Sequence, residues 1–112
     1  MKSIVRNLDL LKVLSKANKK VRCALIRNGP CDLIHTLVEC SLNVLQGRFK
    51  LTEDQIKKLS KFKNHIRKLD KKSSTQQRDI LVQHGGFLQF ILPAIISGIA
   101  SIVSSAISSK SE

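Results

Sequence analysis

Apolar side chains recur every three or four residues along most of the chain, and residues that favour caps and turns interrupt them. In residues 3 to 17, Val5, Leu8, Leu11 and Leu14 fall on one side of a helix, flanked by Leu10 and Val13. The pattern predicts a second, short helix from the N-cap Asn18 through Val21, Ala24, Leu25 and Ile26, ending at Asn28-Gly29. Pro30 opens a third, with Leu33, Ile34, Leu37, Val38, Ser41, Leu42 and Leu45 in helical register, and Gly47 closes it. This is the most apolar helix of the basic part and the expected centre of its core. Thr52 and Gln55 have capping-box spacing, so a fourth helix begins there and carries Ile56, Leu59, Phe62, Ile66 and Leu69 on a narrow stripe. The run Ser73 to Gln77 punctuates the chain before a short helix through Ile80, Leu81 and Val82. No segment keeps the period of two that a half-buried strand requires. The expected fold is all-α: a small basic bundle of four or five helices, followed by a C-terminal hydrophobic amphipathic helix.

Charge divides this pattern into two parts. The net charge is +12, from 20 Lys and Arg against 8 acidic residues. Residues up to Gly86 hold 19 of those cations and 7 of the acids, so the tail beyond carries only Lys110 and Glu112. We therefore expect a basic helical domain over residues 1–84, a Gly-Gly junction at 85–86 and a hydrophobic, membrane-active or anchoring segment over 87–112. The chain is 112 residues long, room for one small domain with a modest core and an appendage. Arg6, Asp9 and Lys12 interrupt the only stretch at its start that resembles a signal peptide, so none is expected there.

The densest charge lies in the fourth helix. Lys57, Lys58, Lys61, Lys63, Arg67, Lys68, Lys71 and Lys72 are opposed within that stretch only by Asp70. Acidic partners four residues away are nearly absent, so the cations repel one another unless an anionic partner neutralises them. A solvated surface is one reading, and binding to a phosphate backbone or an anionic lipid surface is the other. Lys outnumbers Arg here, which suits charge neutralisation better than bidentate base readout, so non-specific nucleic acid, DNA foremost, is the expected partner. The four aromatic residues are all Phe, too few for the stacking platforms of single-strand readers. A helix–turn–helix reader is a weaker alternative, since no tight Gly-centred turn joins two helices in the right place.

Residues 87 to 107 contain no charge, about the length a helix needs to cross a hydrocarbon core. Phe87, Leu88, Phe90, Ile91, Leu92, Ile95, Ile96, Ile99, Ile102, Val103 and Ile107 supply a wide apolar arc. Ser97, Ser101, Ser104, Ser105 and Ser108 form a narrow polar stripe, and Ala94 and Gly98 form a small-xxx-small pair. Pro93 kinks this helix or marks its true start. Three readings compete: a transmembrane anchor with the basic domain on the cytoplasmic side, a membrane-disrupting peptide released or exposed on cue, and a buried hydrophobic hairpin completing the core or a homo-oligomer interface. Gly85-Gly86 adds a candidate processing site spanning Gln83, His84, Gly85, Gly86 and Phe87, because paired glycines let the backbone extend into a protease cleft. His84 beside it is a candidate pH-sensitive group for tail exposure in an acidifying compartment.

The chain resembles small basic proteins of Polinton (Maverick) and adintovirus-type elements of invertebrates. The resemblance runs over roughly residues 8 to 95. It is carried by Glu39-Cys40, Leu42-Asn43-Val44-Leu45, Gly47, Leu51 and Gln55, and above all by Leu81-Val82-Gln83 with Gly85-Gly86-Phe87. Such elements resemble adenoviruses in their capsid genes and in an adenovirus-type cysteine protease that cuts precursors near Gly-Gly. The resemblance implies a virion core or membrane-lytic minor capsid protein, that protease as a partner, and residence in the virion or the host nucleus or cytoplasm, membrane-associated once the tail is exposed. A cut after Gly86 places Gln83 where those precursors usually carry Leu, Ile or Met.

Catalysis and metal binding find little support. Cys23, Cys31 and Cys40 with His35 can be written as a zinc set. They lack paired-Cys spacing, and Cys40 lies about 140° around the helix from His35 at roughly 100° per residue. Reduced core cysteines are the expected state. No acidic orienter stands beside a Cys/His pair, so we expect no enzyme and no cofactor.

Overall fold

The computed structural model describes residues 2–111, with side chains for residues 2–99. The described residues are all-α and contain no strand. Helices α1 (Lys2–Arg6) and α2 (Leu8–Lys16) lead into α3 (Lys19–Asn28) and the long α4 (Cys31–Leu45). Two short helices, α5 (Glu53–Ser60) and α6 (Lys63–Leu69), follow. Then α7 (Ser74–His84) runs through a 3-10 turn, Gly85–Phe87, into α8 (Leu88–Ser111).

Local chemistry explains most boundaries. The Asn18 side chain accepts the Val21 N–H at 2.9 Å and starts α3. Gly47, at φ +79°, ends α4, and the Arg48 N–H reaches back to the Asn43 carbonyl at 3.0 Å in a Schellman ending. Thr52 and Gln55 close the expected capping box. Ser73 and Gln76 close a second one, at the run expected only to punctuate the chain. The single helix expected over 3 to 17 is broken at Asn7, whose amide lies within 3.0 Å of the Ser3 carbonyl, the Asp32 carboxylate and the Thr36 hydroxyl. Those bonds dock the break onto α4, and with it Ile4 is buried rather than Val5, which is 48% exposed.

Helix α4 is the axis, buried on nearly all sides: Leu33, Ile34, Leu37, Val38, Cys40 and Val44 reach the core in every direction. Its buried polar side chains bond locally, Ser41 Oγ donating to the Leu37 carbonyl and Thr36 Oγ1 to the Asp32 carbonyl, both at 2.8 Å. Helix α8 packs against α2, α4 and α5, so Leu11 and Leu14 of α2 are covered by the tail. The composition boundary at Gly85-Gly86 is therefore not a packing boundary. Phe87, Leu88, Ile91, Leu92, Ile95 and Ile99 are at most 1% exposed within the same cluster as the core residues of the preceding helices.

Two side chains tie the ends of helices together. Arg78 Nη1 donates to the carbonyls of Ile26 and Gly29 at 2.7 Å and of Arg27 at 3.1 Å, capping α3 with a charge from α7. Gln77 Nε2 does the same for α6 at the Leu69 carbonyl, at 2.8 Å.

Candidate functional site

The basic stretch is not one helix. Its apolar residues Ile56, Leu59, Phe62, Ile66 and Leu69 advance by 3, 3, 4 and 3 positions, short of the helical repeat by about 35° per step on average. On a straight helix the stripe would slide off the core. The chain takes up the mismatch with a tight turn at Lys61–Phe62, where the Phe62 N–H bonds the Leu59 carbonyl at 2.9 Å. Leu59, Ile66 and Leu69 are thereby buried, while Ile56, at the far end of the drift, is 49% exposed.

The break sorts the eight cations into two groups. Lys57 and Lys58 belong to α5, Lys61 to the turn after it and Lys63 to the start of α6, and α5 packs on α8. Arg67, Lys68, Lys71 and Lys72 belong to the end of α6 and the turn after it, and α6 packs on α4 and α7. All are exposed except Lys63, which is half-buried. Among the described residues, Lys58 alone of the eight has an ion-pair partner, Asp54 at 3.2 Å. Its ammonium also sits 5.1 Å from the centre of the Phe90 ring. Among the described residues, six exposed cations and the half-buried Lys63 thus have no carboxylate partner, and they are divided between two helices rather than carried on one.

The apolar arc of the tail faces inward. Of the residues expected to meet membrane, Phe87, Leu88, Ile91, Leu92, Ile95 and Ile99 are buried, and Phe90 and Ile96 are partly buried against the same core. The physical reason is that α2 and α4 present their own apolar faces to α8, which the helix covers. Gln89, Pro93 and Ser97, four residues apart, form its exposed edge. Gly98 serves close packing within the chain: a Cβ there would sit 2.7 Å from Phe49 Cδ1. Ser101, Ser104, Ser105, Ser108, Ile102, Val103 and Ile107 lie outside the described side chains. The continuous run Ser74–Ile99 is long and apolar enough to cross a membrane, a test that a core helix also passes.

In the folded chain the candidate processing site is part of the helical run. Gly85–Phe87 is helical, with Gly85 at φ −76° and ψ 11°. The Leu88 N–H bonds back to the Gly85 and Gly86 carbonyls, so hydrogen bonding carries α7 into α8 without a gap. Gln83 is exposed, His84 and Gly86 are half-buried, and Gly85 and Phe87 are buried. Neither glycine is demanded by space: a Cβ on Gly85 would meet Leu88 Cδ1 at 3.5 Å, and one on Gly86 would meet Phe62 Cζ at 4.0 Å. The His84 ring stacks on His65, centroids 4.1 Å apart.

The cysteines do not converge. Cys40 is buried in α4, and burial pushes its thiol up to about 12. Cys23 Sγ lies 3.6 Å from the Val82 carbonyl, and Cys31 is exposed at the start of α4. No set of three or more metal-ligating side chains occurs among the described residues. Reading the sequence missed Arg22: on a helix whose apolar face was assigned to Val21, Ala24, Leu25 and Ile26, the arginine is 4% exposed and Val21 is 45% exposed. The available signal was its spacing, four residues before Ile26. No family model, curated protein or solved structure matches the chain.

Proposed function

We propose that this chain is a non-enzymatic polyanion-binding protein whose partner is nucleic acid, DNA foremost, held by charge rather than by base sequence. One observation carries the reading: Lys57, Lys61, Arg67, Lys68, Lys71 and Lys72 are exposed with no carboxylate within ion-pair distance among the described residues. Self-repulsion on that scale is relieved by a phosphate backbone, which releases its counterions on neutralisation. A virion core protein of a virus-like mobile element, the role the sequence resemblance implies, is the setting that fits this chemistry. The test is DNA affinity of the full chain against salt. Each phosphate neutralised contributes about −0.9 to the slope of log K against log salt. Charge reversal at Lys61, Arg67 and Lys68 is expected to weaken binding and flatten that slope by about 2 to 3. Unchanged binding by the triple variant overturns the reading.

A second reading concerns the tail. Residues 87 to 107 are uncharged, and the folded packing gives no steric reason for glycine at positions 85 and 86. Both fit a helix that is freed from the core, by cleavage after Gly86 or by local opening, to engage or disrupt a membrane. A tail-anchored arrangement uses the same residues without release. Vesicle leakage by the full chain, by a chain cleaved at Gly86 and by a peptide of residues 87 to 112 separates these. Leakage only after cleavage supports release, and no binding by any of the three removes the membrane role.

A further inference from the structure

Arg22 occupies a core position of α3, next to Ile26 one turn on, yet it carries a charge. It is 4% exposed, and its Nε and Nη1 atoms have no hydrogen-bond partner among the described residues. A desolvated guanidinium left without an acceptor is costly, so native structures rarely keep one without a counter-group. Here the side chain lines an open cleft of about 460 Å³ between α3, α7 and the Gly85–Phe87 turn. Lys19, three residues earlier on the same face, stands exposed and also lines it. His84 lines it too, with His65 stacked behind, and the other polar wall residues are the amides Gln83 and Gln89. Among the described residues, no carboxylate lines the cleft.

We propose that this cleft is a binding site for a phosphate-class oxyanion, with Arg22 at its floor and Lys19 at its mouth. The guanidinium supplies planar N–H donors matched to phosphate oxygens, and the ammonium adds a mobile second charge. Burial raises the value of the Arg22 contact, because the charge is already partly stripped of water before the anion arrives. The cleft exceeds the size of one phosphate ion, and Phe62 gives it an apolar wall, so it takes either free phosphate or the phosphoryl end of a nucleotide. The site is distinct from Arg67 and Lys68 and stands whether or not the exposed lysines bind a polymer.

The test is an NMR titration of the full chain with inorganic phosphate, repeated with adenosine 5′-monophosphate and with adenosine, at constant ionic strength set by chloride. Saturable shifts at residues 19–22 and 83–89 are expected with inorganic phosphate, and tighter saturation with the nucleotide marks a phosphorylated organic ligand as the better fit. Equal affinity for both assigns the site to the phosphate group alone. Adenosine alone is expected to leave these residues unmoved. Arg22→Met is expected to lower the affinity at least tenfold while leaving the unfolding midpoint in chloride unchanged or raised. Lys19→Gln, at an exposed position, is expected to weaken binding several-fold. Reversal of Arg67 and Lys68 is expected to leave phosphate affinity unchanged even where it abolishes DNA binding. The proposal is overturned by shifts that never saturate, by an Arg22→Met chain that binds like the parent, or by one that fails to fold while Lys19→Gln binds phosphate normally.

Discussion

The α5–α6 segment and the stretch from Phe87 through the first half of α8 sit on the two sides of the largest change in composition in the chain, and they touch each other. The basic segment buries Leu59, Ile66 and Leu69 and sends nearly everything else to solvent. The apolar segment buries six of its large side chains to within 1% and shows solvent only a narrow edge. Phe62 of the first rests on Phe87 of the second, ring centroids 5.6 Å apart, and Lys58 lies over Phe90. A contrast that reads along the sequence as one domain followed by another is, in space, shell over core.

The strongest way to break that comparison is to truncate the tail inside the core. Phe87→Ala is expected to cost about 3–5 kcal/mol by denaturant unfolding, the usual loss for a buried phenylalanine. A detached appendage would give nothing. Next is Arg78→Ala, which strips three carbonyls at the end of α3 of one charged donor; about 1.5–3 kcal/mol is the range for hydrogen bonds to charged groups. Gly86→Ala sharpens the comparison from the other side, because space is open and φ is helical. It is expected to stabilise the fold by about 0.4–1 kcal/mol, and destabilisation would mean that position 86 takes a backbone conformation alanine does not accept. Lys68→Ala, on the shell, is expected to change stability by less than about 0.5 kcal/mol, with its effect appearing in DNA affinity instead.

The smallest effect is electrostatic. The Arg6 guanidinium, then the Asn7 amide, hold the Asp32 carboxyl below its usual value. A carboxyl with a lowered folded value stabilises above its unfolded pKa and loses that contribution as pH falls through the folded one. Asp32→Asn is therefore expected to flatten the acid limb of the unfolding midpoint below about pH 4 and to leave the neutral region little altered. Both partners are well exposed, at 60% and 48%, so the effect is minor.

Much of the fold was legible because it rests on short-range chemistry. Asn18, Thr52 with Gln55, and Gly47 act within a turn of their own position, and α4 shows its burial in an almost unbroken apolar register. The site was legible only as a list of cations. Their division into two groups follows from a stripe that advances too slowly for a straight helix, which the spacing contains but which a search for apolar faces passes over. Arg78 and Arg22 were illegible for another reason. One finds its acceptors 49 to 52 residues away, and the other shares the spacing of the buried Ile26, a signal its charge overrode. The tail failed to declare its surroundings because an uncharged helix looks the same facing lipid as facing leucine.

The ring of Phe49 seated on Gly98 turns a packing detail into a gauge. An aromatic ring at that distance displaces the resonance of the glycine Hα that a Cβ would replace. The chain has no Trp or Tyr to report on itself by fluorescence. That one proton, returning to its random-coil position when α8 leaves, would give the fraction of undocked tail in any membrane, salt or protease experiment, without a label.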